Sequence, residues 1–123
     1  MKATLKKMVW QAMNRILKRV SPFIALSAKN SPAVKIQQVA LYNYYRQAIQ
    51  DGKRFNLSET GYRVFSQFEE DGILLYIFAA IGMGNRTFID IGAGDGINSN
   101  CANLAVNFGW YGLFIDGNPS NIE

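Results

Sequence analysis

The reading of the fold turns on Thr87-Phe88-Ile89-Asp90-Ile91-Gly92-Ala93-Gly94-Asp95-Gly96-Ile97-Asn98-Ser99-Asn100. Its first five residues are β-prone, glycines follow at alternate positions, and a helix-compatible segment begins at Asn98. A strand that empties into a glycine-rich turn at a helix start lets backbone approach a ligand closely. The helix is expected to run from Asn98 to about Phe108 and to stop at Gly109. Gly112-Leu113-Phe114-Ile115-Asp116 then reads as a second strand. Strand, helix and strand within roughly 30 residues predict a βαβ unit, with parallel strands and a right-handed crossover.

The glycine spacing separates nucleotide classes. The dinucleotide fingerprint G-x-G-x-x-G would place its third glycine where Ile97 stands, and no Gly-Lys-Ser/Thr follows to make a P-loop. Asp90 lies near the carboxyl end of the first strand. A carboxylate beside a pyrophosphate is unfavourable, whereas beside a cationic ligand it is stabilising. Asp116 closes the second strand, where doubly wound folds use an acidic side chain to accept hydrogen bonds from ribose hydroxyls. In Gly117-Asn118-Pro119, Asn118 suits either a hydrogen bond to a nucleoside or the shaping of a turn. The bland alternative for the whole stretch is a tight strand-to-helix turn with a surface aspartate. Alternating glycines and two strand-end carboxylates favour a bound cofactor over it, because such positions are costly to fold without a use.

Upstream, Ser66-Gln67-Phe68-Glu69 has the capping-box pattern, and Glu69, Glu70 and Asp71 suit the positive end of a helix dipole. The predicted helix continues through Ile73–Ile81 and ends at Gly82. It is apolar almost all round, so burial is expected, with Gly72 permitting close packing. Residues 53–65 read as a polar loop. Ser31 is expected to cap a helix from Pro32 to about Ile49 that ends at Asp51-Gly52. Its Tyr42, Tyr44 and Tyr45 suit core packing better than base stacking.

Residues 2–20 form a basic amphipathic helix on paper, with Leu5, Met8, Val9, Met13, Ile16, Leu17 and Val20 at three- and four-residue steps. Ser21-Pro22 is expected to punctuate it. Such a helix suits packing on the rest of the protein or on a second copy, the more economical reading. It also suits an anionic membrane surface, with Trp10 near the interface.

Residues 1–63 carry twelve basic and two acidic side chains, while residues 64–123 carry one and seven. That split predicts two regions: a basic helical amino-terminal region, 1–64, and an acidic domain, 65–123. With 49% hydrophobic and 18% charged residues the composition is globular rather than disordered. There is no histidine and one cysteine, Cys101, which excludes an internal disulfide, His-based triads, and His or Cys-rich metal sites; no metal is expected. A cleaved signal peptide is not expected either, since the basic residues run on to Arg19.

The segments Phe65–Phe78 (F-S-Q-F-E-E-D-G-I-L-L-Y-I-F), Phe88–Asn100 and Asn107–Pro119 (N-F-G-W-Y-G-L-F-I-D-G-N-P) resemble the FkbM-type methyltransferases. The resemblance spans about Phe65 to Glu123, nearly half the chain. It implies an α/β, Rossmann-like class I methyltransferase fold with S-adenosyl-L-methionine as cofactor. By that similarity Asp90, Gly92, Gly94 and Gly96 would line the methionine and sulfonium end, and Asp116 would hold the ribose. Ser66 and Gln67 would close over the cofactor, a role compatible with the capping box. Family members typically methylate hydroxyl oxygens of sugars or small molecules, which implies a small-molecule or glycan acceptor, no nucleic acid, and a cytoplasmic or inner-membrane-face location.

No general base is assigned, because the acceptor site in such folds normally lies on later strands. Cys101 has no histidine partner and reads as a small buried thiol. Two parallel strands would leave open edges and faces. The expectation is therefore a Rossmann-like domain truncated after its second strand, inactive alone. The competing class is a non-catalytic binding or assembly module that works through the basic helix, at a membrane surface or on a partner. A nucleotide-sugar or dinucleotide enzyme is disfavoured by Ile97 and Asp90.

Overall fold

A computed structural model describes residues 2–121, with side chains at 6–17, 20, 27 and 29–121. The chain is mixed α/β and divides into two compact units, Met1–Ser31 and Pro32–Glu123. The first is one helix, α1 (Lys2–Lys29), which runs past Ser21-Pro22 instead of stopping there. Proline's fixed φ is itself helical, so Pro22 forfeits one backbone hydrogen bond without being forced out of the helix. Met8, Val9, Trp10, Met13, Ile16, Leu17 and Val20 are all exposed.

The second unit begins with α2 (Pro32–Gln50), whose proline occupies the first helical position, where its missing N–H costs nothing. The helix ends in a Schellman closure. Lys53 N–H donates to the Ala48 carbonyl at 2.8 Å and Gly52 N–H to that of Ile49 at 3.0 Å. The stretch expected to be loop contains a single helical turn, α3 (Leu57–Thr60). There the Glu59 carboxylate reaches back to the Asn56 N–H at 3.2 Å.

α4 (Glu70–Ile81) starts later than the capping-box pattern predicts. Ser66 does not close on Glu69. Its hydroxyl accepts instead from the Asp71 N–H at 3.2 Å. The buried Asp71 Oδ2 accepts from the N–H groups of Val64 at 2.7 Å, Phe65 at 2.7 Å and Ser66 at 3.0 Å. The loop folds back onto the helix start, and the deeper carboxylate takes the donors. Gly72 permits the approach its sequence suggested. A Cβ there would overlap the Thr60 carbonyl and the Tyr62 nitrogen, and Gly72 N–H donates to the Tyr62 carbonyl at 3.1 Å. The burial expected all round α4 is confined to one side. Asp71, Gly72, Leu75, Tyr76 and Ala79 are buried, whereas Ile81 is 74% exposed.

Two apolar clusters hold this unit together. Leu75, Met83, Leu104 and Trp110 form one. Tyr45, Tyr76 and Ala79 form the other, with the rings of Tyr45, Phe55 and Tyr76 meeting edge to face at 5.2–5.8 Å. Burying a leucine such as Leu75 contributes roughly 1.5–3 kcal/mol. Of the three tyrosines expected in the core, Tyr45 is buried, Tyr42 is half-buried and Tyr44 is exposed.

The βαβ unit is present. β1 (Thr87–Ile91) pairs in parallel with β2 (Tyr111–Ile115), Asp90 opposite Phe114, and the connection carries α5. α5 spans Ala102–Phe108, later than the expected start at Asn98. Residues between the glycine turn and Cys101 are spent on further turns, and Ser99 Oγ accepts from the Ala102 N–H at 3.1 Å. Phe88, Asp90 and Phe114 share one face of the two-stranded sheet. The opposite face presents Ile89, Ile91, Tyr111, Leu113 and Ile115, all exposed. Parallel sheets are usually covered on both sides, so this face is unusually apolar for solvent.

Candidate functional site

The site is assembled where β1 and β2 end. Gly92, Gly94 and Gly96 have φ of 79°, 61° and 73°. All three lie in the left-handed region that a side chain disfavours, which explains glycine at every second position. A Cβ at Gly92 or Gly94 would meet nothing within 4 Å, so the turn is bordered by open space. At Gly96 the Phe114 ring lies 3.6 Å from that position.

Asp116 joins the two halves. Its Oδ2 accepts from the Gly94 N–H at 2.8 Å, and its Oδ1 accepts from the Asn118 N–H at 2.8 Å and the Asn121 amide at 3.1 Å. These donors hold the carboxyl below its ordinary value of 3.8, the Asn118 N–H first, then Gly94, then Asn121. A carboxylate offers about four acceptor positions, so roughly one remains for a ligand hydroxyl. Gly94, Asp95, Gly96, Phe114, Asp116 and Asn121 line a cleft of about 190 Å³. Ligand pockets usually run from about 300 Å³ upward, so this cleft suits part of a cofactor, of the size of a ribose.

The turn's own N–H groups are largely consumed within the fold. Gly92 and Ala93 donate to the Ile115 carbonyl at 2.7 and 3.2 Å, and Gly96 to that of Ala93 at 3.0 Å. Ile97 and Asn98 donate to Asp95 Oδ1 at 2.9 and 3.2 Å. A phosphate-binding loop instead points such groups at its anion. With Asp90, Asp95 and Asp116 flanking it, the turn disfavours phosphate and favours hydroxyl or cationic groups.

Asp90 shares neither the cleft nor its ligands. Its Oδ2 accepts from the Cys101 N–H at 3.3 Å, at the start of α5. Burial pushes the Cys101 thiol up to about 11, and the neighbouring Asp90 adds to the shift.

No protein-family model, curated protein or solved structure matches the chain. The site's own geometry carries the functional argument.

Of the residues singled out from sequence, Gly94, Gly96 and Asp116 come together at the cleft, and Gly92 opens the same turn. Asn118 shapes the following turn: its N–H bonds Asp116, and its Oδ1 accepts from the Ser120 hydroxyl at 2.6 Å. Ser66 is fully buried against Asp71. Gln67 is exposed, on a separate cleft with Arg63, Phe68, Glu69, Glu70 and Ile73. Sequence reasoning missed Asp95 and Asn121. Asp95 was legible in principle, since an aspartate before glycine readily takes the N–H groups two and three residues on. Asn121 carries no local signal for its contact with Asp116. Among the described residues no three His, Cys, Asp or Glu side chains form a metal-sized group.

Proposed function

We propose that the protein is an S-adenosylmethionine-dependent methyltransferase of the Rossmann-like class I type, acting on a hydroxyl of a sugar or small molecule. The observation that carries this reading is the pairing of Asp116 with a glycine turn whose N–H groups are largely spent. A site with acceptors to offer and few donors suits a ribose attached to a cationic group rather than a pyrophosphate.

The donor set fits such a cofactor at its ribose end. Asp116 would accept from a ribose hydroxyl, and the open space beside Gly92 and Gly94 would admit the adjoining chain. Phe114 would supply an apolar wall, while Asp90, held against α5, would add negative potential near the sulfonium. When bound, S-adenosylmethionine supplies an electrophilic methyl group. The chain's part in the reaction is to position it, and alignment alone can lower the barrier substantially.

Calorimetric titration of S-adenosylmethionine and of NAD into the protein and its Asp116→Ala variant tests the reading. Micromolar binding of S-adenosylmethionine, lost in the variant, is the expected result. If S-adenosylmethionine gave no heat and Asp116→Ala changed nothing, the methyltransferase reading would be abandoned. Tighter binding of NAD would replace it with a dinucleotide enzyme.

A further inference from the structure

We infer that α1 lies along the surface of an anionic lipid bilayer and tethers the protein there. Three observations carry this, none of them dependent on the methyltransferase reading. The first is shape. At 100° per residue, Val9, Trp10, Met13, Ile16, Leu17 and Val20 fall on one side of the helix, and all six are exposed. Lys7, Gln11 and Arg15 fall on the other. Lys6 joins Val9, Trp10 and Met13 around one shallow groove, where a lysine stem can lie along apolar surface while its ammonium reaches out.

The second observation is charge. α1 holds seven basic residues and no acidic one, and the first acidic residue of the whole chain is Asp51. Helices that pair with protein ordinarily mix signs along their flanks, because Glu–Lys pairs three or four residues apart stabilise them. Two copies of α1 laid side by side would instead bring fourteen basic residues together (seven from each helix), with no acidic residue in either helix. A nucleic acid would satisfy the charge but would leave the Val9–Ile16–Val20 side in water. An anionic bilayer satisfies both, taking the apolar side into the headgroup boundary and the lysines and arginines at its charged surface.

The third is length and polarity. Among the described residues no helix is long and apolar enough to cross a membrane. A 28-residue helix with a one-sided apolar stripe and Trp10 beside it therefore suits lying on the surface, not spanning it.

The test uses the full chain. It is floated with vesicles of phosphatidylcholine alone and of phosphatidylcholine with about one-third phosphatidylserine. Affinity should rise about tenfold or more with phosphatidylserine, and fall back in about 0.5 M salt, where charges are screened beyond roughly 4 Å. Trp10 emission should shift to the blue on binding, against a constant background from the buried Trp110. Ile16→Glu should abolish flotation. Because Ile16 is exposed, the variant's unfolding temperature should stay at the parent value, which separates lost binding from lost folding. Equal binding to neutral vesicles, or none to either, overturns the inference. So does a dimer in sedimentation that Ile16→Glu dissociates, or tighter binding to single-stranded RNA than to phosphatidylserine vesicles.

Discussion

Gly94 and Asp116 are joined across the two strand ends by a 2.8 Å hydrogen bond from the Gly94 N–H to Asp116 Oδ2. They lie just past the carboxyl ends of the two parallel strands, so the bond ties the glycine turn to the end of β2. It also sets what the cleft can bind, since it turns a donor inward and leaves a carboxylate facing the opening.

The bond has a definite pH dependence. Its donors hold the Asp116 carboxyl below 3.8, the Asn118 N–H contributing most. A depressed folded-state value means the stabilisation is present above the unfolded value and is lost as pH falls through the folded one. The Gly94 amide, followed by NMR, should therefore keep its position from neutral pH down to the ordinary aspartate range and move only below it. In Asp116→Asn the transition should vanish. A Gly94 midpoint at or above 3.8 would contradict the geometry.

Asn121 competes with a ligand for the same carboxylate. Its amide occupies Asp116 Oδ1 at 3.1 Å. Asn121→Ala releases that acceptor position, and one hydrogen bond is worth about 1 kcal/mol net. On the proposed function, the variant should bind S-adenosylmethionine up to about fivefold more tightly, by calorimetry, while Asp116→Ala loses binding. Weakening in Asn121→Ala would instead give Asn121 a direct contact with the cofactor.

Much of this site was legible because the backbone conformation it needs is written in residue type. Glycine at 92, 94 and 96 is the signature of a chain that must turn left-handed three times within five residues, and it does. The parallel pair followed from the β-prone runs on either side of a helical segment. What escaped were contacts between residues distant in sequence. Gln38 Oε1 accepts from Asn103 Nδ2 at 2.6 Å and from the Tyr62 hydroxyl at 3.0 Å, and all three residues are at least half-buried. No local pattern announces such a network, because its partners meet only when α2 and α5 pack. The capping box failed for a related reason. Ser66 and Glu69 have the right spacing, but residues 64–66 lie over the helix start, and the buried Asp71 is the acid that reaches them.

That arrangement makes Asp71 a structural residue, not a ligand-binding one. It is 1% exposed and accepts three backbone N–H groups. Removing the carboxylate strands three donors at or near the core, at about 1–3 kcal/mol for each one fully buried. Asp71→Ala should lower stability by roughly 3–5 kcal/mol in urea unfolding, and Asp71→Asn, which keeps one acceptor oxygen, by less. Equal stability of Asp71→Ala and the parent would refute the role.

Gly72, next to it, should tolerate no side chain. A Cβ there would overlap the Thr60 carbonyl and the Tyr62 nitrogen, both backbone atoms that cannot swing aside. In an exposed helix Gly→Ala would stabilise by up to about 1 kcal/mol, so here propensity and sterics oppose each other. Forced displacement of packed backbone costs about 1–3 kcal/mol, which wins. Gly72→Ala should therefore unfold at lower urea concentration than the parent. A stabilised variant would show that the 60–62 segment yields freely.

Cys101 and Asp90 give a chemical readout of the same packing. The thiol is pushed up to about 11, mainly by burial and then by Asp90, whose carboxylate also accepts the Cys101 N–H at 3.3 Å. At pH 8 only about one thiol in a thousand would be ionised, so alkylation by iodoacetamide should be slow. Replacing Asp90 by asparagine removes the negative charge but keeps an oxygen for the N–H. The thiolate fraction then rises, and alkylation should accelerate several-fold at fixed pH, with burial holding the thiol above the usual value of 9.0. An unchanged rate in Asp90→Asn would mean that burial alone sets the thiol, and that the Asp90 carboxylate is directed away from it, toward the open end of β1.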